Sequence, residues 1–293
     1  MKNDNCDFKL QPYTPAMNNL TKNLTIDTEV TELVLTRFLQ NEITKTGFSH
    51  AVLGLSGGID SALSCYLAAK ALGSDNVLAL RLPYATSSAE SLEHANLIIE
   101  ALGIHSETID ITPMVDGLVA QSPDITPHRK GNVMARARMT AIYDRSMAWQ
   151  GLVVGTSNKT ELLLGYGTIY GDLASAVNPI GDLYKTQVRQ LARAIGVPEA
   201  IVNKAPSADL IPGQTDEDDL GFTYDAVDRL LYLLVDERFS AAEVVEAGFD
   251  PQMVKRVIQL VQRSQYKRTL PVIPKISDRS IGHDFRYLRD WGM

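Results

Sequence analysis

One glycine-rich loop carries the residue types and the spacing that phosphate chemistry requires. Its sequence is GLSGGIDS over residues 54–61, and it lies between an apolar run and a helical pattern that ends at Leu72. Glycine lets a backbone adopt positive φ and approach a ligand closely, and the free N–H groups at a helix start attract anions. The loop therefore predicts a phosphate cradle at a strand-to-helix turn, where Ser56 and Ser61 add hydroxyls and Asp60 adds a metal-binding carboxylate.

A second candidate site follows another apolar run, 152–155. Ser157 or Asn158 is suited to cap the next helix, which places Glu161 one turn inside that helix. We expect Glu161 to face Asp60 across a crevice, and two such carboxylates are typical of a Mg²⁺ site that also binds phosphates. The alternative is that Glu161 is only a helix-start carboxylate, which the helix dipole favours.

Two charged segments further along the chain have more than one interpretation. Lys185 lies near the start of a predicted helix, where the helix dipole disfavours a cation. This indicates either a bound anion that offsets the charge or a solvated lysine. The acidic run DEDD at 216–219 predicts a solvated loop, or a segment that gates a site if it moves.

Short apolar runs alternate with helical patterns over the first two thirds of the chain. The predicted strands are 51–55, 77–82, 106–111 and 152–155. The helices predicted between them are 61–72, 89–102 and 131–149. This order is typical of an α/β fold with a doubly wound parallel sheet flanked by helices, in which ligands bind at the carboxyl ends of the strands. The glycine-rich loop lies at such an end.

The two ends of the chain differ from this pattern. Residues 1–24 predict a polar N-terminal tail, and residues 25–293 are predicted to form a single domain. Beyond Thr186 the chain is mostly helical, with predicted helices at 187–195, 224–235, 241–247 and 251–263. A helical pattern at 27–46 carries one predicted apolar stripe, formed by Val30, Leu33, Val34, Phe38, Leu39 and Ile43.

Composition and charge exclude several classes of protein. The 293 residues are 45% hydrophobic and 22% charged, which is typical of globular proteins and not of disordered or fibrous chains. A net charge of −7 argues against nucleic acid as the main partner. Cys6 and Cys65 form neither a disulfide framework nor a zinc-ligand pattern. No apolar run approaches the roughly 20 residues that span a bilayer, and no secretory signal is visible, so we expect no membrane partner and a cytoplasmic location.

The loop lacks the lysine of the common P-loop, and its SGGIDS portion resembles instead the pyrophosphate loop of N-type ATP pyrophosphatases. Those enzymes split ATP between its α and β phosphates to make an adenylated intermediate. Together with this loop, further segments resemble the NAD⁺ synthetase family: RLPYAT (81–86), KGNVMARARM (130–139), GTSNKTE (155–161), YGD (170–172), LYKT (183–186), KAPSADL (204–210), GQTDEDDLG (213–221) and YKR (266–268). The resemblance implies an adenine nucleotide α-hydrolase-like fold and the ATP-dependent amidation of deamido-NAD⁺ to NAD⁺, with release of AMP and pyrophosphate.

The resemblance also assigns roles to residues of this chain. It implies ATP contacts at Ser56, Gly57, Gly58, Asp60, Ser61, Arg81, Thr156, Lys185 and Ser207. Asp60 and Glu161 would hold Mg²⁺, and Lys185 would steady charge on the phosphates during adenylation, so these three residues form the expected catalytic set. Arg136 and Lys267 would contact deamido-NAD⁺, and residues 207–221 would close over the site as a mobile loop.

Some positions depart from the pattern of the short, ammonia-dependent bacterial enzymes. Where those enzymes place contacts to deamido-NAD⁺, this chain has Ile169, Ala176 and Tyr266. The segment EAGFD at 246–250 is more similar to the glutamine-dependent branch, but the short N-terminal tail cannot hold the glutaminase domain of that branch. We therefore expect free ammonia as the nitrogen donor, with supply by a separate glutaminase as the alternative. The family also implies a homodimer, whose interface could use the apolar stripe, although the stripe could equally pack on the chain's own sheet.

Two rival functions remain at this level. In the first, another ATP pyrophosphatase amidotransferase acts on a different acceptor, because the three departures remove contacts that define deamido-NAD⁺ recognition. In the second, a nucleotide-binding or regulatory protein keeps the fold without catalysis. The presence of both Asp60 and Glu161 argues against the second, since a decayed site is expected to lose at least one carboxylate.

Overall fold

The central element is a parallel sheet covered by helices on both faces. The computed structural model describes residues 24–206, 216–269, 271–278 and 280. Within these residues the strands are β1 (His50–Gly54), β2 (Val77–Arg81), β3 (His105–Thr108) and β4 (Gly151–Val153), in the spatial order β3-β2-β1-β4. The predicted parallel sheet is confirmed. Strand β3 ends earlier than expected because Ile111 already occupies the N-cap position of the next helix.

The helices follow the predicted order, with several additions. They are α1 (Thr28–Thr44), α2 (Ile59–Leu72), α3 (Ala89–Leu102), α4 (Thr112–Val119), α5 (Pro127–Trp149), α6 (Lys159–Leu164), α7 (Lys185–Ala194), α8 (Glu199–Val202), α9 (Asp216–Leu220), α10 (Tyr224–Leu231), α11 (Ala241–Glu246) and α12 (Pro251–Arg263). Sequence periodicity does not predict α4, α8 and α9, since each is too short to show a full amphipathic pattern. Helix α5 begins before its predicted start because Thr126 caps it and a proline occupies its first position.

Alternate residues of the inner strands pack into two different hydrophobic cores. Ala51 and Leu53 of β1 face a core shared with α1, α2, α3 and α7, whereas Val52 faces a core shared with α4 and α5. This period of two is what a strand buried on both faces requires. Helices cover both faces of the sheet, which confirms the doubly wound arrangement. In such a fold a ligand binds at the carboxyl ends of the strands.

The C-terminal helices form a further core that reaches the carboxyl edge of the sheet. Helices α10, α11 and α12 pack around buried residues such as Val227 and Val257. The same core contains Leu164 from α6 and Tyr184, which immediately precedes α7. The mostly helical C-terminal part is thus confirmed. It packs against the ends of α6 and α7, the helices that carry Glu161 and Lys185.

Helix α1 has two apolar faces instead of the predicted single stripe. Leu39 and Ile43 are fully buried against the sheet-side core. The exposed large apolar residues of this helix are Val30, Leu33, Val34 and Phe38, which are 40–57% exposed. Val30 and Leu39 lie about two and a half turns apart and therefore point to opposite sides of the helix. The prediction of a single stripe is wrong, because the residues within the buried group and within the exposed group each share a face, but the two groups lie on different faces of the helix.

No described helix combines the length and the apolarity that a bilayer crossing needs. Of the predicted tail 1–24, Leu24 alone lies within the described residues, and it is buried in the C-terminal core. The division of the chain into a tail and one domain stays a prediction.

Candidate active site

The loop between β1 and α2 has a backbone path that only glycine permits at its centre. Gly57 has φ +80°, and a Cβ added there would lie 2.1 Å from the carbonyl oxygen of Ser91. The Ser61 hydroxyl accepts a hydrogen bond from the Ser56 N–H (3.2 Å) and donates one to the Gly58 carbonyl (2.9 Å). Ser61 therefore ties the loop to the first turn of α2, and the start of a helix behind such a loop is the arrangement expected of an anion cradle.

The start of helix α6 confirms Asn158 as the N-cap. Its side chain accepts a hydrogen bond from the Glu161 N–H (3.0 Å), and the Glu161 carboxylate accepts one from the Asn158 N–H (3.3 Å), which completes a capping box. Asn158 also donates through Nδ2 to Asp60 Oδ1 (2.8 Å) and is fully buried. This second contact ties the β4–α6 turn to the β1–α2 turn, and the sequence carries no local signal for it.

Lys185, the first residue of α7, completes a buried ionic group that we name the carboxylate cluster (Asp60, Glu161 and Lys185). The Lys185 ammonium bonds Asp60 Oδ2 and lies 3.3 Å from Glu161 Oε1. Its side chain is 2% exposed, and Nζ lies 5.1 Å from the centre of the Tyr224 ring. The interpretation of Lys185 as a solvated lysine is therefore wrong, because its ammonium pairs with the side chains of Asp60 and Glu161.

Burial and mutual charge shape the ionisation of this cluster. Burial, together with the negative charge of Asp60, raises the pKa of Glu161 to about 8. Burial alone would lower the pKa of Lys185, but the carboxylates of Asp60 and Glu161 outweigh burial and raise it above its ordinary value. The cluster therefore keeps its cation at neutral pH, whereas Glu161 can gain or lose a proton there.

A buried polar link lies behind the cluster, and the sequence analysis missed it. Asp228 of α10 is fully buried and accepts hydrogen bonds from the Thr160 hydroxyl (2.6 Å) and from the Thr186 N–H (2.8 Å). Burial raises the pKa of Asp228 to about 6. A signal for it exists in the sequence, since Asp228 interrupts the apolar face that Val227 and Leu231 form in α10.

The acidic run after residue 215 is not simply a solvated loop. Asp216 begins helix α9 and is 5% exposed. Its carboxylate accepts hydrogen bonds from the hydroxyls of Tyr166 (3.1 Å) and Tyr224 (3.2 Å), and burial raises its pKa. Asp218 and Asp219 are exposed, as the sequence predicts. The prediction is therefore wrong for Asp216, whose two tyrosine partners no local pattern reveals.

The other residues expected at ATP lie around the carboxyl edge of the sheet. Thr156 is half-buried in the turn between β4 and α6. Arg81 ends β2, where its guanidinium bonds the side chain of Asn96 and reaches the Ser106 hydroxyl (3.4 Å). The structure therefore places Arg81 beside α3 and β3 and gives it no contact with Asp60 among the described residues. Ser207 lies outside the described residues, as does most of the expected mobile loop 207–221.

The two residues expected at deamido-NAD⁺ hold one loop, and we name this arrangement the carbonyl clamp. The Arg136 guanidinium donates to the Ile169 carbonyl (3.3 Å). The Lys267 ammonium donates to the carbonyls of Gly165 (2.8 Å) and Gly167 (2.7 Å), and burial lowers its pKa. Both cations therefore donate hydrogen bonds to main-chain carbonyl groups within residues 165–169.

The three positions that depart from the family pattern are all accessible to some degree. Ile169 is half-buried, whereas Ala176 and Tyr266 are exposed, the latter to 60%. Ile169 is the residue whose carbonyl Arg136 binds. Ile169 and Tyr266 therefore adjoin the carbonyl clamp, whereas the Ala176 N–H donates to the Val153 carbonyl (2.9 Å) at the end of β4.

The donor set of the cluster fits Mg²⁺ that arrives with a phosphate ligand. The described residues contain no group of three or more His, Cys, Asp or Glu side chains arranged to hold a metal ion. Asp60 and Glu161 supply hard oxygen ligands that converge on one point, the Lys185 ammonium. Mg²⁺ commonly takes one or two carboxylates and completes its shell with phosphates and water.

Comparisons with known proteins agree on one family. The family model for NAD synthase matches residues 31–271. The NH₃-dependent NAD⁺ synthetase of Trichlorobacter lovleyi is 58% identical to this chain, and the match covers 92% of this chain and 98% of that protein. The structure of NMN synthetase from Francisella tularensis has a TM-score of 0.75 and 34% identity, and covers 86% of this chain and 100% of that chain. The NH₃-dependent NAD synthetase from Campylobacter jejuni has a TM-score of 0.73 and 35% identity, with 85% and 100% coverage.

Proposed function

This chain belongs to the NAD synthase family, and from that premise we propose that it catalyses the ATP-dependent amidation of deamido-NAD⁺ to NAD⁺, with ammonia as the nitrogen donor. The observation that carries the proposal is the buried carboxylate cluster, which lies beside the glycine loop at the carboxyl ends of β1 and β4. Desolvation offsets much of the attraction within such a cluster, so stability alone does not account for it, and a group of perturbed ionisable side chains is typical of a functional site.

The chemistry divides into adenylation and amide formation. The nicotinate carboxylate attacks the α-phosphorus of ATP, pyrophosphate leaves, and ammonia then displaces AMP from the adenylated carboxyl group. Ser56, Gly57 and Ser61 surround the place proposed for the phosphates, with the first turn of α2 directed at it. Lys185, which is already held in place, stabilises negative charge as it develops on the phosphates.

We propose that Asp60 and Glu161 hold Mg²⁺ when ATP binds. The ion would neutralise charge on the phosphates and orient the leaving pyrophosphate. Asn158 prepares both carboxylates for this role, because it bonds Asp60 directly and forms the capping box with Glu161. The Lys185 ammonium then exchanges part of its carboxylate contacts for phosphate contacts.

We assign deamido-NAD⁺ to the side of the carbonyl clamp. Arg136 is exposed and directs a cation toward residues 165–169, and the half-buried Lys267 approaches the same loop. Ile169 and Tyr266 replace polar family contacts here, and Ala176 replaces one beside the end of β4, so shape and the two cations carry more of the recognition in this chain.

We also propose a homodimer as the working form. Its support is the outward face of α1, where Val30, Leu33 and Val34 are each more than half exposed. An exposed apolar face of this kind is typical of an interface between subunits. Light scattering coupled to gel filtration tests this point, with Val34→Glu expected to yield the monomer. The cytoplasmic location expected from the sequence stays a prediction.

One assay tests the function. Purified protein receives Mg-ATP and deamido-NAD⁺ with either ammonium or glutamine, and NAD⁺, AMP and pyrophosphate are followed. We expect NAD⁺ with ammonium and none with glutamine; the need for an added glutaminase would indicate a separate ammonia supplier. A parallel reaction with nicotinate mononucleotide is required because a structure similar to this chain is an NMN synthetase. Turnover of the mononucleotide alone, or of neither acceptor, would contradict the proposal.

A further inference from the structure

On the basis of the proposed function, we propose that Asp228 is a positioning residue for the adenylation step. It acts through Thr160 and Thr186 and sets the places of Glu161 and Lys185. Asp228 belongs to helix α10, and its carboxylate bonds the neighbours of the two charged residues, Thr160 beside Glu161 and Thr186 beside Lys185. A single buried side chain thus joins the starts of α6 and α7.

The start of helix α7 shows why an outside acceptor is needed. The first N–H groups of a helix have no partner within that helix. At the N-cap position the Tyr184 hydroxyl bonds Asp236 (2.5 Å) and does not cap the helix. The Lys185 N–H donates instead to the Thr160 hydroxyl oxygen (3.0 Å), and the Thr186 N–H donates to Asp228 (2.8 Å). Asp228 and Thr160 therefore cap α7 from other elements.

Helix α6 depends on the same link for its position. It has six residues, too few for a helix that is stable by itself in water, so tertiary contacts must hold it. The Thr160 hydroxyl donates to Asp228 (2.6 Å) while it accepts from the Lys185 N–H, and Thr160 is fully buried. Three hydrogen bonds therefore join the two helix starts through Asp228 and Thr160, and α6 cannot move relative to α7 without breaking one.

The buried setting of Asp228 makes it a rigid anchor. The residue is fully buried on a helix whose other inward residues, Val227, Leu230 and Leu231, are also fully buried. Its negative charge also favours its place beside the first turn of α7. From this anchor we expect the link to hold Lys185 Nζ and Glu161 Oε1 at their separation of 3.3 Å.

A matched pair of variants at Thr160 tests the link. Thr160→Val removes the hydroxyl at nearly constant volume, whereas Thr160→Ser keeps it. We expect Thr160→Val to lower kcat for NAD⁺ formation about 10- to 100-fold, which is the cost of a small displacement of catalytic groups, with KM for deamido-NAD⁺ within about twofold. Thr160→Ser should stay within about threefold of the unaltered chain.

A third variant separates positioning from general destabilisation. Val227→Ala removes packing from the same helix face without touching the link, so it should lower the Tm and leave kcat per folded enzyme unchanged. Three results would overturn the proposal: Thr160→Val with kcat near that of the unaltered chain, Thr160→Ser impaired as much as Thr160→Val, or Val227→Ala with the same kcat loss.

Failure of the variants to fold would also test the proposal. If Thr160→Val does not fold, Asp228→Asn is measured by the same criteria, and failure of both to fold would show that the link serves the fold and not Lys185. If the unaltered chain forms no NAD⁺, the proposed function fails and this inference fails with it. If the unaltered chain is active and the variants behave alike, the inference fails alone.

Discussion

The carboxylate cluster and the carbonyl clamp use their cations in opposite ways. In the cluster, Lys185 is 2% exposed and pairs with two acidic side chains, Asp60 and Glu161. In the clamp, Arg136 and Lys267 donate to main-chain carbonyl groups. One region gathers opposite charges away from water, and the other uses charge to secure a loop.

Because of this difference, substitutions in the two regions should change different properties of the enzyme. An intact buried ionic group adds little net stability, because desolvation offsets the attraction between the charges, and it is the loss of every partner that leaves a buried charge without compensation. Cations bonded to carbonyl groups satisfy main-chain acceptors, and their removal leaves those acceptors without a partner. Substitutions in the cluster should therefore change the rate most, whereas substitutions in the clamp should change stability and affinity together.

The largest expected effect is that of Asp60→Asn. The variant keeps an acceptor for Asn158 and removes a charge that Mg²⁺ needs, so kcat should fall about 10³-fold, and the Tm should fall much less because Glu161 remains as a partner for Lys185. Steady-state NAD⁺ formation and thermal unfolding provide the two measurements. Asp182→Asn is the control, since the Asp182 carboxylate is 94% exposed and pairs only with Lys159 among the described residues. More than a tenth of normal turnover in folded Asp60→Asn would remove the distinction between the two regions.

Lys185→Met should come next in size. It removes the cation at similar side-chain volume, so the AMP-forming step should slow about 10²-fold while the Kd for deamido-NAD⁺ stays within about threefold. Single-turnover AMP formation and equilibrium binding separate these two quantities. Lys159→Met is a suitable control, because Lys159 is another largely buried lysine at a helix start but bonds Asp236 and Asp182. An equal loss of rate and affinity in Lys185→Met would indicate a structural lysine.

The two regions also differ in how much of their structure could be predicted from the sequence. Asp60, Glu161 and the Asn158 cap were predictable, because loop composition and helix-start patterns are local. The burial of Lys185 was not, since its partners come from two other turns and dipole arguments alone favour a solvated lysine. The carbonyl contacts of Lys267 and the link through Asp228 likewise join residues about 40 to 100 positions apart, which only tertiary packing reveals.

A comparison of Lys267 with its neighbour Arg268, which lies outside the carbonyl clamp, can decide whether Lys267 touches substrate. Arg268 donates to the carbonyls of Leu162 (3.0 Å) and Leu163 (2.9 Å), so Arg268→Ala and Lys267→Ala lose the same kind of contact. Both should lower the Tm. Lys267→Ala alone should also raise KM for deamido-NAD⁺ about tenfold, the loss expected for one charge-assisted hydrogen bond. Equal KM values in the two variants would make Lys267 a purely structural part of the clamp.

The smallest expected effect is the release of a proton when Mg-ATP binds. Because burial and Asp60 raise the pKa of Glu161 to about 8, this carboxyl group is mostly protonated at pH 7 and must lose its proton to bind Mg²⁺. Binding of Mg-ATP at pH 7 should therefore release up to about one proton, and the release should vanish above pH 9, where Glu161 is already ionised. Calorimetry in buffers of different ionisation enthalpy measures it. Glu161→Gln should abolish the release, whereas Lys267→Ala should leave it intact, so release that persists in Glu161→Gln would show that the cluster does not change its charge when it binds ATP.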